Sequence, residues 1–319
     1  MIFEKKAIDK YKSIIYKRCD DTETAFFFSP KDFKGLKSES RSFKASAGHT
    51  LQGWFYEYEN PVPGRLVVFD HGFGGGHLAY MKEIEMLCRH GYKVFAYDHT
   101  GCMESGGETP NGLAQSLCDL NDCISMLRAD ERFADCDISV MGHSWGAFST
   151  LNISALHPDI SHIVALSGFV SVKEMVNTLF PGIISVFRKA IFNLEKQSNP
   201  EFVKYHAVES LKNSDTKALL IYSENDHRCN RKHYDILKAG LEEKSDAKFL
   251  LLSNKGHNPN YTEDAVKYLA EFAAARSEFL KKEELTADDK AKFVASFDWD
   301  RMTMQDEAVW QEIFNHLDN

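Results

Sequence analysis

Six short apolar runs constrain this chain more than any other feature. They are RLVVFDHG (65–72), YKVFAYD (92–98), DISVMGHS (137–144), HIVALSG (162–168), KALLIYS (217–223) and KFLLLSN (248–254). Runs of this length with little polar alternation read as strands covered on both faces. Segments with helical period separate them, notably 78–90, which ends at a capping Gly91, and 113–129. Strands alternating with helical segments imply βαβ units. The expected fold class is therefore α/β, a mostly parallel, doubly wound sheet, and 319 residues suffice to bury its core.

The flanking segments divide the chain further. Residues 1–39 read as an N-terminal helical extension, an amphipathic helix followed by a connector ending at Ser29-Pro30. The first part of the core spans 40–168 and begins with two short strands around Gly48-His49, marked by Phe43, Leu51, Trp54, Tyr56 and Tyr58. Residues 169–216 are too long for a structureless loop and are expected to be a helical insertion. The insertion leaves the sheet at the carboxyl end of a strand, where ligands bind in such folds, so a cap over the site is expected. Its Phe180, Ile183, Ile184, Phe187 and Phe192 would then make the pocket apolar; extra core packing is the alternative. The second part of the core, 217–319, carries an extended helical C-terminus, in which Trp310, Ile313, Phe314 and Leu317 have the spacing of a core-packed helix.

Composition narrows the function. A formal charge of −9 with no dense basic tract argues against nucleic acid as a partner. No apolar run is long enough to span a membrane, and the N-terminus lacks the apolar region of a signal peptide. The seven cysteines form no CxxC pairs and read as reduced thiols of a cytoplasmic protein, with no metal site expected.

The strongest local signal is GHSWG (142–146), which follows the strand ISVM and opens a helix at Ala147. A sharp strand-to-helix turn exposes the serine, and glycines on either side avoid a clash. Ser144 is thus the candidate nucleophile. Such a serine needs a base, and the base an orienting carboxylate. His257, just past the last strand, is the candidate base. Asp226, on the loop after 217–223, is preferred to Glu224 as the acid. HGFGGG (71–76) follows another strand, and its glycines allow close approach of the backbone. The N–H groups of Phe73 and Trp145 are the candidate oxyanion donors. Gly72, Phe73, His143 and Trp145 are the candidate substrate-binding residues.

HG at 71–72, D-x-x-G-x-x-x-S at Asp98–Ser105, GHSWG and the GH pair at 256–257 occur in an order that resembles the α/β-hydrolase superfamily, near its bacterial esterase, lipase and serine-aminopeptidase-like branch. The similarity covers roughly 40–260. The loop after Asp98 departs from it, with Thr100 and Met103 where relatives commonly carry Arg and a second Gly. The acid loop also lacks a proline. The resemblance implies an α/β-hydrolase fold and an acyl-enzyme mechanism without metal or organic cofactor. The expected substrate is a small-molecule carboxylic ester with a small to medium apolar acyl or aromatic group. Peptide or thioester cleavage, or acyl transfer, would use the same residues, and a non-catalytic binding module would not need the full set. The helices at 1–30 and 262–304 could serve a homodimer or cap the core.

Overall fold

The computed structural model describes residues 2–20, 22–282 and 284–319. Helix α1 (Ile2–Ile15) precedes β1 (Lys37–Lys44) and β2 (Thr50–Glu57). There follow β3 (Arg65–Asp70), α2 (Met81–Arg89), β4 (Lys93–Tyr97), α3 (Gln115–Ala129), β5 (Asp137–His143) and α4 (Trp145–Asn152). After β6 (His162–Leu166) come α5 (Val172–Leu179), α6 (Arg188–Ser198) and α7 (Ala207–Lys212). Then β7 (Lys217–Ser223), α8 (Arg231–Gly240) and β8 (Ala247–Leu252) complete the sheet. Helices α9 (Glu263–Phe279), α10 (Ala287–Ala295), α11 (Trp299–Met302) and α12 (Glu307–Leu317) close the chain. None of the described helices is long and apolar enough to cross a membrane.

The eight strands lie in the order β1-β2-β4-β3-β5-β6-β7-β8; β2 pairs antiparallel with both β1 and β4, and the other pairs are parallel. Side chains of β3 alternate between two cores. Leu66 and Val68 pack with α3 and α4, while Val67 and Phe69 pack with α2 and α12. That two-sided burial is why the central strands carry no polar face. From β3 the chain adds β4 on one side and then β5 on the other. A crevice therefore opens beyond the carboxyl ends of β3 and β5, where ligands bind in open sheets.

Two expectations change. The boundary placed at 39/40 falls inside β1, whose first residues, Lys37, Ser38 and Glu39, are exposed on a sheet edge and carry no apolar signal. Residues 169–216 are helical, but Ile183 is 93% exposed and Val186 73%. The insertion is anchored instead to the N-terminal helix, through the Tyr11 hydroxyl bonded to Glu195 at 2.8 Å and the Tyr11 ring against Phe180.

Helix α12 seals the second core with Trp310, Ile313 and Leu317, all buried, and the Trp310 indole donates to Gln305. Trp310→Ala should cost about 3–5 kcal/mol through lost transfer energy and the cavity left behind. Urea denaturation of the two proteins measures it; a loss below about 1 kcal/mol would show that α12 is peripheral.

Candidate active site

Register brings the candidate residues together. Asp70 pairs with Gly142 across β3 and β5, so the loop after β3 faces the turn after β5. Ser223 pairs with Leu252 across β7 and β8, so the loops holding Asp226 and His257 leave the sheet side by side.

Ser144 sits between β5 and α4 with φ 56° and ψ −109°, a backbone state rare outside glycine. The flanking glycines make it possible. A Cβ at Gly142 would lie 2.3 Å from Thr150 Oγ1, and one at Gly146 would lie 2.0 Å from the Asp70 carbonyl oxygen. Helix α4 thus packs backbone to backbone on the end of β3.

The Ser144 hydroxyl is 2.8 Å from His257 Nε2, and His257 Nδ1 is 2.8 Å from Asp226 Oδ2. A carboxylate only accepts, so Nδ1 carries the proton and Nε2 is left to accept from Ser144. Burial alone would raise the Asp226 carboxyl. Hydrogen bonds from His257 and from the Arg228 N–H hold it below the ordinary carboxylate range instead. Glu224 stays at the surface, bonded to Ser253 and 3.6 Å from Arg231.

The loop after β3 is fixed from two sides. His71 Nε2 accepts from the His99 N–H, so Nδ1–H donates to the Gly72 carbonyl at 2.7 Å. Burial pushes His71 down to about 3, which keeps it neutral in this tautomer. Because the peptide is trans, holding the Gly72 carbonyl turns the Phe73 N–H the opposite way. No described residue accepts from that N–H or from the N–H of Trp145, the first residue of α4. The Gly72 N–H donates to the Tyr80 hydroxyl at 3.1 Å. His143, likewise pushed by burial to about 3, must donate from Nε2 to the His257 carbonyl at 2.8 Å. Its Nδ1 therefore accepts from Tyr80, also at 2.8 Å. Gly72, Tyr80, His143 and the backbone of His257 form one continuous chain of hydrogen bonds.

A cavity of ≈720 Å³ opens onto Ser144 and His257, with Phe73, Tyr80, His143, Arg228 and Asn258 around its head. Its remaining wall is α9, from Val266 to Ser277, continuing to Leu280. No residue of 169–216 is among the described residues lining it. The apolar wall expected from the insertion is thus supplied by the C-terminal segment. Tyr80, Arg228 and α9 were missed in the sequence; the spacing Val266-Leu269-Ala270-Ala273 is the one signal that marks such a face.

The sequence model of the family described as serine aminopeptidase, S33, matches residues 61–204. The Pyrococcus furiosus esterase Pf2001 superposes with TM-score 0.59 at 19% identity, covering 82% of this chain and 98% of that one. The chain has the α/β-hydrolase fold. The acylaminoacyl peptidase of Pyrococcus horikoshii, another α/β-hydrolase neighbour, superposes with TM-score 0.56 at 16% identity over 82% of this chain and 45% of that one. The uncharacterized protein YfhR of Escherichia coli K12 is 26% identical over 166 residues, 49% of this chain and 58% of YfhR. The matching stretch spans little more than half the length of such curated relatives.

Beneath the candidate site lies a buried charge cluster. His99 Nε2 is 2.7 Å from Asp70 and Nδ1 is 3.2 Å from Asp119, all three being inaccessible to solvent. Burial works to lower His99, yet the two carboxylates override it and raise the imidazole to about 9. A raised imidazole value stabilises the fold fully below the unfolded value near 6.5, and that contribution fades as pH climbs through about 9. His99→Asn should lose roughly 3–5 kcal/mol at pH 6 by stranding two buried carboxylates. Urea midpoints between pH 6 and 10 should also show the alkaline decline in the wild type and not in the variant. Parallel pH profiles would mean that His99 is uncharged.

Proposed function

We propose that the protein is a serine hydrolase that cleaves carboxylic esters through an acyl-enzyme. The observation that carries this reading is the unbroken series Ser144–His257–Asp226 at 2.8 Å per link, in a single tautomer, opening onto the cavity. Ser144 Oγ attacks the carbonyl carbon as its proton passes to His257 Nε2, and Asp226 stabilises the imidazolium. The N–H groups of Phe73 and Trp145 receive the oxyanion. His257 then protonates the departing oxygen, and a water, deprotonated by the same nitrogen, releases the acid.

Charge favours ester over aminopeptidase chemistry. An aminopeptidase must hold a substrate ammonium, yet the charged residues among those described at the cavity wall are the cations Arg228 and Arg276. On this reading the partner is a small molecule. The seven cysteines, unpaired in the structure, support a reducing, cytoplasmic setting.

Fluorophosphonate labelling and p-nitrophenyl ester turnover test the reading together. Ser144→Ala should abolish labelling and cut kcat by roughly 10⁶, and Asp226→Asn by about 10⁴ with the fold retained. Unlabelled, folded wild-type protein would refute the assignment. Tyr80→Phe leaves the Gly72 N–H without its acceptor and is expected to lower kcat about tenfold with KM nearly unchanged. A change in KM alone would make Tyr80 a substrate contact rather than a brace of the loop.

A further inference from the structure

Helix α9 lines the cavity at Val266, Leu269, Ala270, Ala273 and Ser277, and Leu280 at its C-cap continues the wall. Steps of three and four place these on one helix face, and the fourteen steps from first to last residue span about 21 Å at 1.5 Å each. The near end is fixed beside the reacting groups, because a Cβ on Gly256, next to His257, would sit 3.2 Å from Val266 Cγ1. The far end is fixed at the N-terminal segment, where Arg276 Nε donates to Thr24 at 2.8 Å. Between these ends Ala270 and Ala273 are exposed on the cavity side, flanked by Leu269 and Phe272, and Arg276 follows toward the far end. Spread over that length, ≈720 Å³ gives a mean cross-section of about 35 Å². The cavity is a narrow trough that starts at Ser144 and runs along a helix.

We propose that this trough binds a linear aliphatic chain of the substrate, making the protein selective for long-chain rather than short esters. The proposal rests on the serine hydrolase reading for its chemistry but not for its binding. An extended hydrocarbon advances about 1.25 Å per bond, given C–C bonds near 1.5 Å, so the trough accommodates roughly sixteen carbons. A branched or fused-ring group would fill the head and leave the alanine stretch empty. The position is unexpected for such a fold member, since the apolar wall anticipated from 169–216 lies elsewhere and the selectivity falls to a helix after His257.

Two measurements on the full chain decide it. The first is kcat/KM for p-nitrophenyl esters from C2 to C12, and for alkyl butyrates of matching alcohol lengths, with wild type and Ala273→Phe. A half-open trough should give about twofold per added methylene, near half the logarithmic gain of full burial. At least one series should therefore rise about 50-fold over six methylenes. Ala273→Phe should remove most of that rise, lowering the long esters far more than p-nitrophenyl acetate. The series that rises identifies whether acyl or alcohol occupies the trough. The second measurement is calorimetric binding of dodecanoate and butyrate to Ser144→Ala, alone and with Ala273→Phe. Dodecanoate should bind about 200-fold more tightly, and the added phenylalanine should erase most of the difference. Ala270→Leu serves both experiments if Ala273→Phe does not fold. Length-independent turnover in both series, or equal binding of the two acids, overturns the trough even if fluorophosphonate labels Ser144. Length-dependent binding without labelling or turnover upholds the trough and refutes the hydrolase reading.

Discussion

The contact on which the rest of the site depends is the approach of α4 to the end of β3 with no side chain between them. Gly146 lies so close to the carbonyls of Asp70 and His71 that any Cβ would enter them. That contact forces the reversal at Ser144, including its positive φ, and it sets the first N–H of α4 beside the loop that begins at His71. A residue in such a backbone state costs on the order of 1–3 kcal/mol and persists only where its surroundings over-determine it. Here they do, because Gly142, Gly146 and Thr150 interlock and the Ser144 N–H donates to the Leu166 carbonyl.

Three buried histidines around this contact are sorted into different protonation states by their neighbours. His71 and His143 face backbone carbonyls and hydroxyl or amide groups, so burial wins and both stay neutral. His99 faces two carboxylates, so charge pairing wins over burial. The neutral pair can be both donor and acceptor, which the bonding of the loop requires. The charged one neutralises carboxylates that also hold the Ser149 hydroxyl and the Thr100 N–H, and so ties α4, β3, β4 and α3 beneath the site. Replacing either neutral ring by a permanent cation would break one of its two bonds.

Legibility in the sequence followed locality. The strands were readable because burial on both faces leaves unbroken apolar runs, and the turn at Ser144 because its glycines are adjacent to it. Asp226 and His257 follow recognisable strands in the chain order that the resemblance implies, and the fold places both beside Ser144. The start of β1 was not, since Lys37, Ser38 and Glu39 lie on an exposed edge. Nor was the cavity wall. Ile183 and Val186 are apolar enough for a pocket, yet pairing of Tyr11 with Glu195 and Phe180 orients the insertion so that these side chains face outward. Helix α9 carries Glu263, Glu271 and Glu278 among its apolar residues, and only its seating against the His257 loop shows which face lines the cavity.

That seating has a consequence for how such a site can vary. The residues bonded around Ser144 come from β6 and the loops after β7 and β8, and Gly72, Tyr80 and His143 brace them through the backbone of His257. The trough wall belongs to a helix that enters this network only at its first turn, near Gly256. Its cavity-facing alanines touch none of the polar groups that set tautomer or turn, and they are exposed rather than packed. Volume on that face can therefore change by a whole side chain while the geometry at Ser144 stays fixed, because among the described residues the two alanines share no side-chain hydrogen bond with it. Selectivity along the trough and the bonding at its head are separable properties of this fold.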